Sequence, residues 1–357
     1  MKERAAAMRT NWYRRYGIRW LLALMVAVFF FFAVNYPLPY YVTRPGSAVE
    51  LGPIIKVEGG ERDEQGAFML TTVRMGQATP FWYLYTKFSP DAELIEINRV
   101  LLPGESNEEF IQRERYVMEN SQLLASAVAF RLAGYEVKVE NEGVTIVQAV
   151  EGSPSDGLFK PGDVVTQIDD TPIRTMQELL AYLSTKQPGD RVKVTYQRGE
   201  KQQAATVALT ELAQEQGETS RAGLGVRGSN KQAIEIPKKV TVSSRNIGGP
   251  SAGLMMTLEI YDQLDTSWNA TRGYRIAGTG EIFSDGAVGR IGGINHKVIA
   301  ADTAEAEIFF APDDEGSGLS NYDEALATAK RIGTSMQIVP VKTVEDAINY
   351  LKSLEPK

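Results

Sequence analysis

Cysteine is absent from the 357 residues, and histidine occurs once, at His296. The first absence excludes a disulfide framework and every cysteine-dependent mechanism. The second leaves a single position for histidine-dependent catalysis. The sequence also has no Gly-x-x-x-x-Gly-Lys-Ser/Thr motif and no Gly-Lys dipeptide, so the phosphate cradle of P-loop ATPases is missing. We predict neither a metal site nor a cofactor.

Charge and hydropathy are distributed unevenly along the chain. The first twenty residues carry a net charge of +5 and the remainder a net charge of −12, which argues against a nucleic-acid partner. An apolar run extends from Ile18 to Val34, interrupted only by Arg19 near its start. We predict a basic cytoplasmic stub (1–17) followed by a transmembrane signal anchor (18–36), because basic residues stay on the cytoplasmic side. This predicts a single-pass protein of the cell membrane with its catalytic domain outside the cytoplasm. A cleaved signal peptide is the alternative, although no small-x-small cleavage site follows.

The segments after the predicted anchor alternate between strand and helix patterns. Strands are predicted at Ile54–Val57, Ala67–Val73 and Phe81–Tyr85, which are rich in β-branched and aromatic residues. Ser106 and Glu109 have the spacing of a capping box, and the apolar spacing beyond them predicts a helix to Leu132 with Gly134 as its C-cap.

Glycine and proline surround one hydroxyl in Gly248-Gly249-Pro250-Ser251-Ala252-Gly253, directly before a helical pattern. Pro250 suits the start of a helix, so Ser251 is expected at or beside a helix N-terminus. Free N–H groups and the helix dipole favour a developing anion there. A nucleophilic serine needs this setting, with the backbone at Gly249, Ala252 and Gly253 as candidate oxyanion donors. Alone, the stretch is more typical of a glycine-rich turn with a serine cap.

Two later segments change that interpretation. Gly278-Thr279-Gly280 is followed by Gly292–Ala301, which sets Lys297 at the start of an apolar helix. In this order the three segments resemble the proteolytic domain of Lon-type peptidases. The resemblance implies an α/β (α+β) domain over 213–357, with Ser251 as nucleophile, Lys297 as general base and Thr279 as a supporting hydroxyl. Gly248 departs from the pattern, because many Lon proteins have an acidic residue there.

A lysine can act as a base only when it is neutral, and its reference pKa is about 10.4. Burial and a helix N-terminus both disfavour the ammonium form. A base poised near pH 7 requires the pKa to fall by roughly 3 units, and both effects could apply to Lys297 in the first turn of an apolar helix.

Residues 135–209 follow a different pattern. Their predicted elements are a strand at Val144–Val147, a short helix after Pro154, a helix at Met176–Leu183 and a hairpin across Arg198–Glu200. The run around Pro161-Gly162-Asp163 resembles a PDZ domain of the bacterial protease-associated kind, of mixed α+β class, which we place at 134–212. PDZ domains add an extended peptide to a sheet edge, so peptide or protein partners are expected. Gly134 and Tyr135 form the candidate carboxylate-binding loop, with a plain helix C-cap as the alternative, and 214–220 is a polar linker.

The length of the C-terminal part suggests that the protease domain is divided. Only 29 residues separate Ala222 from Ser251, whereas the Lon-type fold has strands and a long helix before its serine. We therefore predict that residues 45–133 complete the domain and that the PDZ unit is inserted.

Together these features predict an ATP-independent, membrane-anchored serine endopeptidase that cleaves extracytoplasmic peptides or membrane-proximal proteins selected by the PDZ domain. Two alternatives stay open. Gly249-x-Ser251-x-Gly253 also fits the nucleophile elbow of an α/β-hydrolase esterase, with His296 and Asp285 as partners, although only 106 residues follow the serine. The other alternative is a catalytically silent PDZ scaffold at the membrane. The sequence leaves the oligomeric state open.

Overall fold

A computed structural model describes residues 2–62, 65–102, 105–150, 152–212, 221–243, 247–314 and 318–357. The predicted linker at 214–220 lies outside them. Within the described residues the helices are α1 (Lys2–Asn35), α2 (Pro80–Tyr85), α3 (Asn107–Leu132), α4 (Met176–Leu183), α5 (Gly253–Leu264), α6 (Ile294–Thr303), α7 (Asn321–Ile332) and α8 (Val344–Ser353). The strands are β1 (Tyr40–Glu50), β2 (Ile55–Val57), β3 (Ala67–Gln77), β4 (Glu93–Glu96), β5 (Lys138–Ala149), β6 (Val164–Ile168), β7 (Thr171–Pro172), β8 (Arg191–Arg198), β9 (Lys201–Ala208), β10 (Thr210–Leu212), β11 (Arg221–Gly223), β12 (Val226–Glu235), β13 (Val240–Val242), β14 (Arg275–Gly278), β15 (Glu281–Ile282), β16 (Val288–Gly289), β17 (Ile308–Pro312) and β18 (Gln337–Val341).

The chain divides into two compact units. The first comprises Met1–Gly46 and Val73–Val100, and the second comprises Ser47–Thr72 and Leu101–Lys357. In the first unit the start of β1 pairs antiparallel with β4. A small core formed by Val42, Ala78 and Ala92 supports this pairing.

The segment Phe81–Tyr85 belongs to helix α2, so the prediction of a strand there is wrong. Pro80 occupies the first turn, where its fixed φ favours a helix and its missing N–H is not needed. No residue of α2 is buried. The β-propensity of its aromatic side chains therefore meets no half-buried pleated surface that would favour a strand.

The transmembrane prediction for residues 18–36 is also wrong. In the part of the chain that the structure describes, no helix is both long and apolar enough to cross a bilayer. The apolar stretch of α1 runs from Trp20 to Val34, between Arg19 and Asn35. At the helical rise per residue it covers about 22 Å, which is short of the roughly 30 Å of hydrocarbon in a bilayer. The predicted single-pass location in the cell membrane, with the catalytic domain outside the cytoplasm, is not supported either.

Parallel strands in the order β18, β17, β14, β3 organise the second unit. Successive side chains of a strand point to opposite faces of the sheet. Phe68 and Phe310 accordingly enter one core, shared with α3, α5 and α8, whereas Met69 and Phe309 enter another, shared with α6 and α7. Because helices cover both faces, every residue of the central strand β17 is buried and apolar.

Helix α3 and strand β2 pack into the same core as the C-terminal segment. Ser106 and Glu109 form the predicted capping box at the start of α3, so the predicted helix is confirmed. Met118 and Phe130 of α3 belong to the core cluster that contains Leu254 of α5. Strand β2 pairs antiparallel with β13. Elements before and after residues 138–235 thus share one core.

Residues 138–235 form a separate antiparallel sheet in the order β12, β5, β6, β8, β9. Helix α4 packs on a core that includes Val144, Ile168 and Leu179. The predicted helix after Pro154 is wrong, because residues 152–159 form successive turns. Gly157 adopts a φ of +69°, which the interior of an α-helix does not permit.

Candidate active site

Ser251 lies two residues before the first residue of α5, in the small-residue loop that the sequence singles out. Gly249 has a φ of +84°, a conformation that favours glycine. A Cβ on Gly253 would lie 2.6 Å from Ile282 Cγ2 and 2.8 Å from its backbone nitrogen. The two glycines therefore allow a tight turn and a close approach to β15, which together place the serine.

Lys297 lies in the first turn of α6 and reaches Ser251. Gly293, with a φ of +67°, is the N-cap of this helix, and its carbonyl accepts a hydrogen bond from the Lys297 amide at 3.2 Å. Lys297 Nζ lies 2.7 Å from Ser251 Oγ and 2.9 Å from Thr279 Oγ1. The structure thus brings together three side chains that are far apart in the sequence. Ser251 and Thr279 are separated by 28 positions, Thr279 and Lys297 by 18, and Ser251 and Lys297 by 46.

Burial determines the protonation state of this lysine. Lys297 is 3% exposed. Desolvation disfavours its charged form and lowers its pKa from 10.5 to about 7. A lysine with this pKa is neutral in a substantial fraction of molecules at neutral pH, so it can accept a proton.

Thr279 contacts both Ser251 and Lys297. It is fully buried, and its Oγ1 donates a hydrogen bond to the Ser251 carbonyl at 2.9 Å. The amide of Gly280 donates to the same carbonyl at 2.9 Å. Because the single hydroxyl proton of Thr279 is used in this way, its oxygen presents a lone pair to Lys297 Nζ.

The three predicted oxyanion positions differ in their hydrogen bonds. The Gly249 amide donates to the Glu114 carbonyl at 3.0 Å, and the Gly253 amide donates to the Pro250 carbonyl at 3.2 Å. Among the described residues this leaves the Ala252 amide, at the N-cap of α5, as the candidate oxyanion donor.

Helix α3 contributes contacts that the sequence did not reveal. Ser121 Oγ donates to the Pro250 carbonyl at 3.1 Å. A Cβ on Gly248 would lie 2.9 Å from Glu114 Cβ, and one on Gly249 would lie 3.1 Å from Glu114 Oε2. Burial raises the pKa of Glu114, and the Arg113 guanidinium opposes this shift. The side chain of Glu114 thus packs against Gly248. The sequence predicted the helix and, through the family resemblance, its place in the peptidase domain, but not these contacts with the Ser251 loop.

His296 and Asp285, the partners required by the α/β-hydrolase alternative, lie elsewhere. His296 is buried and precedes Lys297 on α6, so its side chain leaves the helix about 100° away. Asp285 accepts a hydrogen bond from the Ala287 amide at 3.0 Å, within the turn between β15 and β16. The short contact with Ser251 Oγ is made by Lys297.

Gly134 and Tyr135, the predicted carboxylate loop, close the end of α3. The Gly134 amide donates to the Arg131 carbonyl at 3.0 Å and the Tyr135 amide donates to the Phe130 carbonyl at 2.9 Å. The Tyr135 ring packs edge-on against Phe130. This pattern is a Schellman motif, so both amides are used by the helix cap.

Comparison with known proteins identifies two domains. The family described as PDZ domain matches residues 132–209, and the family described as Lon protease (S16) C-terminal proteolytic domain matches residues 190–353. The second match includes Ser251, Thr279 and Lys297. By this match the chain contains a serine peptidase domain similar to that of Lon proteases. The peptidase match begins at residue 190, before the PDZ match ends at residue 209. The presence of a PDZ domain suggests that the protein binds a peptide or protein.

Several relatives share parts of the chain. The Lon protease of Phenylobacterium zucineum (strain HLK1) is 29% identical over 181 residues, which cover 50% of this chain and 21% of that protein. The chain thus spans about a fifth of the length of this curated relative. The PDZ domain of the SdrC-like protein of Listeria monocytogenes is 28% identical, covering 26% of this chain and 92% of that one, with a TM-score of 0.23. The corresponding domain from Listeria innocua is 30% identical, covering 24% and 92%, with a TM-score of 0.22.

Proposed function

We propose that this protein is an ATP-independent serine endopeptidase in which Ser251 is the nucleophile and Lys297 the general base. One observation carries the proposal: Lys297 Nζ lies 2.7 Å from Ser251 Oγ. Burial lowers the pKa of this amine to about 7, so a neutral base is available beside the hydroxyl.

The geometry supports a two-step acyl transfer. Lys297 Nζ takes the proton of Ser251 Oγ as the oxygen attacks the scissile carbonyl, and the oxyanion faces the Ala252 amide. The ammonium then gives its proton to the leaving amine, which yields an acyl-serine ester. A water molecule, deprotonated by the same Nζ, hydrolyses that ester and regenerates both residues.

Thr279 is the positioning residue in this scheme. Its hydroxyl proton is held by the Ser251 carbonyl, so the oxygen can accept one N–H of the neutral amine. This contact directs the lone pair of Nζ toward Ser251 Oγ. Thr279 itself exchanges no proton with the substrate.

The lack of a phosphate cradle supports the ATP-independent part of the proposal. No Gly-x-x-x-x-Gly-Lys-Ser/Thr motif occurs in the sequence. Without a nucleotide-driven unfolding step, cleavage is confined to flexible or unfolded segments. The PDZ domain is proposed to select them through its capacity for strand addition.

We expect the protein to hydrolyse peptide bonds without a nucleotide. The purified protein should cleave unfolded β-casein at the same rate with and without magnesium and ATP, measured as the appearance of new amino termini. Hydrolysis that requires ATP would contradict the proposal, and an apyrase-treated sample controls for nucleotide carried through purification.

We further propose that the PDZ unit is inserted in the peptidase domain. Residues Leu51, Phe68 and Met118 from before the insert share one core cluster with Leu254 and Phe310 from after it. Val73–Val100, part of the predicted completing segment 45–133, lies in the first compact unit. At the base of the insert Lys138 pairs directly with Glu235, so the chain enters and leaves it side by side.

Excision of the insert should therefore leave a folded peptidase. Joining Val137 to Ile236 through two glycines replaces a pair of adjacent strands about 5 Å apart at Cα. We expect cleavage of short peptides within about tenfold of the full chain, because the Ser251 site lies outside the excised residues. Preference for unfolded protein over short peptides should be lost.

The matched comparison is a chain that begins at Arg221. It contains the catalytic trio but lacks the core residues of β3 and α3, so it should be insoluble or inactive. Soluble, active protein from that shorter chain would contradict the divided domain.

A further inference from the structure

The edge of the PDZ sheet is covered by a strand from outside the PDZ match. The match ends at residue 209, whereas β12 spans Val226–Glu235. Strand β12 pairs antiparallel along β5, from Val226 opposite Ala149 to Glu235 opposite Lys138. Within the matched residues β5 would be an edge strand, because its other neighbour is β6. The chain therefore supplies an added strand to its own PDZ sheet.

Strand β12 also contacts helix α4, the helix that packs on this sheet. The Met176 amide, at the start of α4, donates to Asn230 Oδ1 at 2.6 Å. A Cβ on Gly228 would lie 3.1 Å from Met176 Cε and 3.0 Å from Val144 Cγ1. Position 228 is thus in close contact with both the helix and β5.

Backbone pairing holds most of β12 in place, while Val226 at its start packs against the core of the PDZ sheet. None of its ten residues is buried. Its central sequence, Arg-Gly-Ser-Asn-Lys-Gln, is polar. The register with β5 shifts twice, between Arg227 and Gly228 and between Lys231 and Gln232. Few buried apolar contacts and an interrupted ladder are the features of a segment that opens at low free-energy cost.

We propose that the edge of β5 is an exchangeable docking surface, covered at rest by β12 and occupied by an extended segment of an unfolded substrate protein when β12 is displaced. Naming the occupant as a substrate rests on the proposed peptidase function. The exchange itself requires only that one strand replace another on the same ladder. The polar, weakly packed β12 then acts as an internal competitor that rejects ligands unable to pair along β5.

A removable cross-link tests the exchange. Gln232 Nε2 donates to Asn141 Oδ1 at 2.9 Å, so these facing side chains lie on the same side of the sheet. Because the chain has no cysteine, Asn141→Cys with Gln232→Cys introduces one dithiol that fastens β12 to β5 when oxidised. The pair is made in the Ser251→Ala chain, and binding of fluorescein-labelled β-casein is followed by fluorescence anisotropy.

The reduced protein should bind β-casein, and oxidation should weaken binding by at least about tenfold, since it removes the open population. Reduction should restore binding. The control pair Gln197→Cys with Gln202→Cys bridges β8 to β9 in the same sheet, and its oxidation should leave the affinity unchanged. Equal affinity of the oxidised and reduced Asn141–Gln232 pair, or no binding by the reduced form, would overturn the proposal. No catalysis is measured, so failure of the peptidase function would not alter this readout.

Discussion

Replacing Lys297 by methionine should reduce kcat/KM for an unstructured peptide by at least about a thousandfold. Methionine has a similar length and suits a buried site, but it cannot take the proton of Ser251 Oγ, which Nζ approaches to 2.7 Å. The measurement is the initial rate of hydrolysis of a quenched fluorescent peptide by folded protein at pH 8.

Two control variants separate this effect from general damage. Lys330→Met changes an exposed lysine of α7 and should leave the rate unchanged. His296→Gln changes the neighbour of Lys297 and should retain activity within about tenfold, because the contact with Ser251 is made by the lysine. An inactive His296→Gln variant together with an active Lys297→Met variant would favour the α/β-hydrolase alternative.

The same Lys297→Met substitution should stabilise the protein at pH 7 by about 2–4 kcal/mol. Burial lowers the pKa of Lys297 from 10.5 to about 7, so the folded state holds the proton less well than the unfolded state. That difference is unfavourable to folding by about 4–5 kcal/mol at pH 7 or below. Methionine removes this unfavourable contribution to folding. It also removes the hydrogen bonds of Nζ with Thr279 and Ser251, so the net increase in stability is smaller.

The pH dependence has a definite sign. Between the folded pKa of about 7 and the unfolded value of about 10.4, Lys297 binds more protons in the unfolded chain, so the unfavourable contribution of this lysine to stability diminishes as the pH rises. The advantage of Lys297→Met should therefore shrink by up to about 1.4 kcal/mol per pH unit above pH 7. Urea unfolding at pH 7, 8 and 9 measures it, and an advantage that is constant or grows with pH would contradict the buried neutral lysine.

The segments proposed to be catalytic could be singled out from the sequence because the requirements on their backbone are local. The tight turn beside Ser251 and the close approach of the chain to Ile282 can each be formed only by glycine. Lys297 in the first turn of an apolar helix indicated a buried amine. The mutual contacts of Ser251, Lys297 and Thr279 came from the family resemblance, since residues so far apart in sequence give no direct signal of proximity.

Other features could not be predicted because tertiary context decides them. The aromatic run of α2 has high β-propensity, but its local structure follows Pro80. Gly134 was equally consistent with a binding loop and a helix cap, and only its hydrogen bonds distinguish the two. Strand β12 carries no alternation of apolar residues, and it forms because β5 offers an unpaired edge.

The predicted anchor failed for a quantitative reason. A high density of apolar residues between Trp20 and Val34 resembled a membrane span, but density does not substitute for length. The charged Arg19 and the amide of Asn35 bracket the run at about 22 Å, below the thickness of a hydrocarbon core.

The most direct test of the account is the rate at which a fluorophosphonate probe labels Ser251 between pH 5 and pH 9. The probe reacts with an activated serine hydroxyl, and peptide mapping by mass spectrometry locates the modified residue. We predict one label per chain, on Ser251, with a rate that rises about tenfold per pH unit and levels off above the pKa of about 7 that burial gives Lys297. Labelling should be lost in Lys297→Met. A label on another residue, or labelling of Ser251 that persists unchanged without Lys297, would contradict the Ser251–Lys297 dyad.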